Sequence, residues 1–255
     1  MPASGRHLDE VESRIKAAAP RQTVEQAAFL QNYHGTSLPV LGIKVPEQRR
    51  LFRRGYSFSD LPVGQQIAVW GDVWRGARHY ETTLQAAFLP ATITSPDDLA
   101  ARWPALAEWS AWIDGWAQSD SLSAFYVRVL EAHPDLAMPV LREWNRSANP
   151  WQRRQSIVSL LYYAGQRTRS PDVGDILALV DPLLADADHF VQRGVGWTLR
   201  EAGTVNPKQI RRYLEGNAAR LSATAFSAAS EKLDCDFKDE LKAIRKAARG
   251  TARRA

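Results

Sequence analysis

Apolar residues along this chain recur three and four positions apart, the spacing of one face of an α-helix. Leu122, Phe125, Tyr126, Val129 and Leu130 make one such stripe, and Ile210, Tyr213 and Leu214 begin another. Four dipeptides mark helix starts: Ser95-Pro96, Asn149-Pro150, Ser170-Pro171 and Asn206-Pro207. Each offers a side-chain oxygen to the free amides of a first turn, then a proline whose missing N–H is not needed there. No run alternates apolar and polar residues between hairpin turns. The pattern therefore predicts an all-α fold, with helices of about 10 to 18 residues joined by short polar turns. Trp151-Gln152-Arg153-Arg154 and Phe190-Val191-Gln192-Arg193 share an aromatic, a Gln and an Arg three beyond the aromatic, at an offset of 39 residues. That offset lies near the period of HEAT-type helix pairs and favours a curved stack over a bundle. In such a stack the helices carrying Trp116, Arg154 and Trp197 would line one concave surface. The chain reads as a single domain over 1–255, frayed at 1–5 and 249–255.

Composition sets the class without changing that picture. The 255 residues are 45% hydrophobic and 24% charged, enough apolar surface for a sizeable core and too much for wholesale disorder. No apolar run is long enough to span a membrane. Met1-Pro2-Ala3-Ser4-Gly5-Arg6-His7 does not read as a secretory signal. Cys235 is alone, which excludes an internal disulfide and suits a reducing compartment, so the expected location is cytoplasmic. The five His show no ligand spacing, and neither a metal nor any other cofactor is expected. The net charge of +5 and the isoelectric point near 9.5 permit a nucleic-acid partner. Arginine carries most of that charge, in clusters at Arg49, Arg50, Arg53 and Arg54, at Arg153 and Arg154, and at Arg211 and Arg212. Its planar fork suits bidentate phosphate contact.

Two short stretches carry the candidate chemistry. Gly115-Trp116-Ala117-Gln118-Ser119-Asp120 puts an indole and a carboxylate one helical turn apart. Val191-Gln192-Arg193-Gly194-Val195-Gly196-Trp197-Thr198-Leu199-Arg200-Glu201 puts Arg193, Trp197 and Arg200 on one face. Two aromatic faces, one acid and flanking guanidiniums suit a cationic group attached to a phosphate backbone, a description that alkylated DNA fits. Trp70, Trp74, Trp103, Trp109, Trp112 and Trp144 are assigned to packing.

With Leu41-Gly42-Ile43-Lys44-Val45-Pro46-Glu47-Gln48-Arg49-Arg50, His133-Pro134-Asp135-Leu136 and Trp151-Gln152-Arg153-Arg154 in the same order, the chain resembles the AlkD-type DNA alkylation repair enzymes. These are DNA glycosylases built of HEAT-like repeats. The resemblance implies a right-handed stack of antiparallel helix pairs with duplex DNA on its concave face. It implies an active centre of Trp116, Asp120 and Trp197, with Arg154 gripping the backbone and Arg200 as a further phosphate contact. Arg193 and Arg153 are expected beside them as DNA-binding residues. The partner would be double-stranded DNA containing alkylated purines, met by a monomer with no obligate protein partner and no membrane. The products would be an abasic site and a free base, without a lyase step. An N3- or N7-alkylated purine is already cationic and leaves without a strong acid. An ionised Asp120 would steady the oxocarbenium-like sugar, and the indoles would offer their electron-rich faces. Two rival readings are a non-catalytic or bulky-adduct-specific relative that binds distorted duplexes, and a helical scaffold for proteins. The small Gly115, Ala117 and Ser119 depart from the family's pattern and predict a smaller wall around the site, open to bulkier adducts.

Overall fold

Capping side chains set where the helices begin. The computed structural model describes residues 3–160 and 170–252, and every regular element among them is helical. As expected, Ser95 and Asn149 cap their helices, accepting from the amides of Asp98 (3.2 Å) and Trp151 (2.9 Å) ahead of Pro96 and Pro150. Asn206 does precede a helix that begins at Pro207, but its side chain makes no capping bond. Ser170-Pro171 is not a helix start. The helix begins at Val173, because the carboxylate of Asp172 accepts from Gly174 N–H at 2.7 Å and supplies the better cap for the positive helix end. Residues 3–5 and 249–252 belong to the first and last helices. Residues 1–2 and 253–255 lie outside the described residues.

The chain divides into two compact units, Met1–Ala132 and His133–Ala255. The first holds α1 (Ala3–Ala18), α2 (Val24–His34), α3 (Val45–Arg53), α4 (Val63–Arg75), α5 (Tyr80–Phe88), α6 (Pro96–Ala107) and α7 (Trp116–Ala132). Its core runs along the expected stripe of α7, where Leu122, Phe125, Tyr126, Val129 and Leu130 are all buried. Trp70, Trp74, Trp103 and Trp109 are buried with them, and Trp112 is half-buried against Trp109. Helix α5 is buried from Tyr80 to Ala87 and packs against α1, α3, α4 and α7.

The second unit holds α8 (Pro134–Trp144), α9 (Pro150–Val158), α10 (Val173–Val180), α11 (His189–Val205), α12 (Pro207–Asn217), α13 (Ala223–Ala229) and α14 (Cys235–Ala252). Here the 39-residue offset is a structural repeat. Ser147 and Asp186 accept from the amides of Asn149 (3.0 Å) and Asp188 (2.9 Å) in equivalent turns. Asn149 and Asp188 then cap α9 and α11, accepting from Trp151 (2.9 Å) and Phe190 (2.8 Å). The two aromatic rings stack at 5.0 Å between centroids. Two glycines let α11 approach a neighbour on either side. A Cβ at Gly194 would meet Arg154 and Ile157 of α9 at 3.3 Å, and one at Gly196 would meet the Ala225 carbonyl of α13 at 2.4 Å.

That second distance is shorter than any real Cβ contact, so Gly196→Ala is expected to lower unfolding stability by about 1–3 kcal/mol. Gly216→Ala, in α12 where nothing lies within 4 Å of a new methyl, is expected to be neutral or to add about 0.5–1 kcal/mol. Urea unfolding measures both. Coincident midpoints for the two variants would contradict the close α11–α13 approach.

Candidate active site

Trp116 and Asp120 occupy the first and second turns of α7, and the chain before them is tied down by a half-buried polar knot. The Asp114 carboxylate accepts from the Thr36 hydroxyl (2.9 Å), from the amide (3.1 Å) and hydroxyl (2.9 Å) of Ser37, and from the Gln118 side-chain amide (3.0 Å). Gln118 returns the bond by accepting from Asp114 N–H at 2.8 Å. Gly35, left-handed at φ 72°, ends α2 and lets the chain reverse into this knot. The end of α2 is thereby docked on the start of α7. Trp116 Nε1 donates to the Tyr33 carbonyl at 2.8 Å. The Tyr33 ring meets the indole edge-on at 5.4 Å, and the His34 ring stacks on it at 5.3 Å with 23° between planes. Below lie Val40, Tyr80, Leu84 and Ala117. Trp116 and Asp120 both remain half-buried.

Burial pushes the Tyr80 phenol far above its ordinary range; the Ala117 and Gln118 amides oppose this, and the negative charges of Asp114 and Asp120 reinforce it. Tyr80 therefore stays protonated. His34 is shifted the other way: burial lowers its pKa and keeps the imidazole neutral. Tyr33, His34, Tyr80 and Asp114 are the residues that sequence reasoning missed. The one signal for them was Gly35, a helix stop directly after Tyr33-His34.

The smaller wall expected from Gly115, Ala117 and Ser119 is not there. All three residues are buried. A Cβ at Gly115 would lie 2.6 Å from the Tyr80 ring, and Ala117 belongs to the cluster of Val40, Tyr80 and Leu84. The space beside Gly115 is filled by Tyr80 rather than left open to a ligand.

In the second unit, Trp197 stands half-buried on α11 with the Arg154 guanidinium 5.9 Å from its ring centre. Arg154, only 4% exposed, comes from α9 and donates to the Phe190 carbonyl at 3.0 Å. Arg153 binds Asp186 through two nitrogens (2.6 and 3.2 Å) and the Ser147 carbonyl (2.9 Å), bracing the two repeat turns. Arg200 is held by Glu201 at 2.9 Å and by Glu231. Arg193, one turn before Trp197, is exposed and has no ion-pair partner among the described residues. The structure thus joins Trp116 to Asp120 in one unit and Arg154 to Trp197 in the other. Among the described residues no group of three or more His, Cys, Asp or Glu is arranged to hold a metal, and no helix is long and apolar enough to cross a membrane.

A family model described as DNA alkylation repair enzyme matches residues 16–233. Among solved structures, a predicted DNA alkylation repair enzyme from Enterococcus faecalis superposes with a TM-score of 0.62 at 17% identity, covering 84% of this chain and 98% of that one. AlkD2 from Streptococcus mutans gives 0.53 at 14%, covering 84% and 100%. The Pseudomonas fluorescens alkylpurine DNA glycosylase AlkC, bound to DNA containing an abasic site analog, gives 0.55 at 16%, covering 89% of this chain and 62% of that one. No curated protein gives a significant match.

The neutral His34 makes a prediction of definite sign. Unfolded, it takes up a proton as the pH drops through the ordinary value of 6.5; folded, it resists until a lower pH, so stability falls with pH across that window. His34→Phe is expected to lose less melting temperature than the wild type between about pH 7.5 and 5.5. Identical declines in both proteins would show that His34 does not titrate abnormally.

Proposed function

The chain belongs to the DNA alkylation repair enzyme family, and from that premise we propose that it is a monofunctional DNA glycosylase. Its substrates are cationic N3- and N7-alkylpurines in duplex DNA, and its products an abasic site and the free base. The observation that carries this reading is the pairing on α7 of a half-buried carboxylate with an indole whose ring is pinned on its edge, its face and its N–H.

The chemistry follows from the charge of the substrate. An alkylated purine nitrogen already bears the positive charge that an ordinary glycosylase must supply by protonation, so no acid is required at the base. Tyr80, whose hydroxyl accepts from the Ala117 amide at the start of α7, is buried and stays neutral, consistent with an acid-free mechanism. As the bond between the anomeric carbon and the purine nitrogen breaks, both electrons leave with the base and positive charge develops on the sugar. Asp120 stabilises that charge and orients the water that adds to the anomeric carbon. The exposed surface of the Trp116 indole faces the same cation, a contact worth about 0.5–2 kcal/mol depending on desolvation. Trp197, by the family resemblance, is proposed to offer its ring to a cationic group as well.

The arginines divide by availability. Arg193 is the open phosphate contact. Arg154 supports Trp197 from beneath and would reach a phosphate only by leaving the Phe190 carbonyl. Arg153 and Arg200 would have to exchange a carboxylate for a phosphate. Contacts of this kind position the duplex without reading its sequence.

Incubation with 7-methylguanine-containing duplex followed by alkali, which cleaves abasic sites, tests the activity directly. Binding without strand cleavage would leave a non-catalytic DNA-binding protein instead. Asp120→Asn is expected to slow single-turnover release by about 10²–10⁴-fold with DNA affinity largely kept; an unchanged rate removes Asp120 from the mechanism. Arg193→Ala is expected to weaken binding to all sequences alike and to reduce the salt slope of log K by about one unit, whereas an unaltered slope places Arg193 off the DNA.

A further inference from the structure

A tryptophan at the first residue of a helix has two side-chain torsions to settle, and a stacking platform misplaced by about an ångström loses most of its effect. Trp116 is such a residue. Its N–H is fixed by the Tyr33 carbonyl, and the Tyr33 ring stands perpendicular to it at 5.4 Å. What fixes the plane of the indole is His34, the last residue of α2. The imidazole lies between Tyr80, at 4.7 Å, and Trp116, at 5.3 Å and 23°. Its Nδ1 is buried and has no hydrogen-bond partner. An aliphatic residue would fill this gap without a stranded nitrogen, so filling space does not by itself account for a flat ring here.

We propose that His34 is a positioning residue of the site, its imidazole stacked on one face of the Trp116 indole so that the opposite face is offered to the substrate. This rests on the glycosylase reading, since the plane of Trp116 matters only if a substrate meets it. The groups facing His34 are Tyr33 on its own helix, Tyr80 from α5 and Trp116 from α7, none of them charged. Asp114 is occupied with Thr36, Ser37 and Gln118, and among the described residues no carboxylate forms an ion pair with His34. Burial therefore prevails and the ring is neutral. A neutral ring leaves the negative faces of the indole intact. An imidazolium would draw on the same π-density and set a positive charge behind the platform, opposing a cationic purine or sugar in front of it. His34 touches no reacting atom; it acts through Trp116.

The test uses the full chain as wild type, His34→Phe and His34→Leu, each labelled with 5-fluorotryptophan. The fluorine resonance of Trp116 is assigned by its loss in Trp116→Phe. With saturating protein and a 7-methylguanine duplex, His34→Leu is expected to release base about tenfold more slowly while DNA affinity stays within about twofold. The flat ring of His34→Phe is expected to restore the rate to within about threefold of wild type. The Trp116 resonance should stay sharp in His34→Phe and broaden or split in His34→Leu. A wild-type rate in the leucine variant, or an equal fall in both variants, overturns the proposal. If the wild-type protein releases no base, the glycosylase reading falls on its own and the resonance decides the stack: broadened only in His34→Leu it stands, sharp in both it is overturned.

Discussion

Helix α5 has no solvent face, and half of its buried residues are polar. A buried donor or acceptor without a partner costs about 1–3 kcal/mol, so a helix in this position is stable only if every such group is met. The described contacts meet them. Glu81 accepts from the amides of Leu41 (3.0 Å), Gly42 (2.7 Å) and Ile43 (3.2 Å). Thr82 donates to Glu12 of α1, Thr83 accepts from Gln118 of α7, and Gln85 lies between the Tyr56 hydroxyl and the Gln48 carbonyl of α3. Glu12 shows the same balance: burial would raise its pKa, but donation from Arg78, His79 and Thr82 holds it below the usual carboxylate value. Each bond is also a latch. Together they fix α5 in rotation and along its axis, and so fix Tyr80 at its first residue. Tyr80 in turn accepts from the Ala117 amide, excludes any side chain at Gly115 and carries one face of His34. The indole of Trp116 is thus referenced, through two aromatic rings, to the most constrained helix of its unit.

The second unit reaches the same end by close approach of backbones. Repeated turns start α9 and α11 alike, and Arg153 ties one turn to the other through Asp186. Gly194 and Gly196 face opposite neighbours, so α11 is clamped between α9 and α13 immediately before Trp197. Space at Gly194 admits the Arg154 side chain, and the guanidinium carried there lies against the Trp197 ring. In both units the candidate aromatic is placed by residues that do no chemistry, the arrangement a preformed cationic site requires.

Much of this was legible along the chain because it is local. Helical periodicity, the Ser95 and Asn149 caps, the stripe of α7 and the 39-residue offset each depend on residues a few positions apart. The offset understated the repeat: the matching positions that matter structurally are the turn residues Ser147 and Asp186, then Asn149 and Asp188, whose chemistry is equivalent although their identities differ. What escaped was long-range burial. Glu81, Thr82, Thr83 and Gln85 have the composition of a solvated helix face, and only partners 29 or more positions away make them core. Gly115 misled for the same reason. A small residue beside a functional one reads as room for a ligand until the ring that fills the room, 35 positions earlier, is placed.

The distribution of charge shows why motif position and phosphate binding need not coincide. An arginine already paired with a carboxylate gains little from a phosphate, since one ion pair replaces another, whereas an unpaired one gains the release of counterions from the duplex. Arg153 and Arg200 sit in the recognisable motifs and are neutralised within the protein. Arg49, Arg53 and Arg193 are exposed with no carboxylate partner among the described residues, and Arg49 and Arg53 lie one turn apart on α3. The sequence pattern points to the proposed reacting groups because such groups must hold a fixed spacing on a helix. It locates the phosphate contacts poorly because a free cation is defined by what is absent around it. Salt-dependent affinity in this protein should therefore follow the unpaired arginines, and lesion chemistry the α7 pair, with little overlap between the two sets.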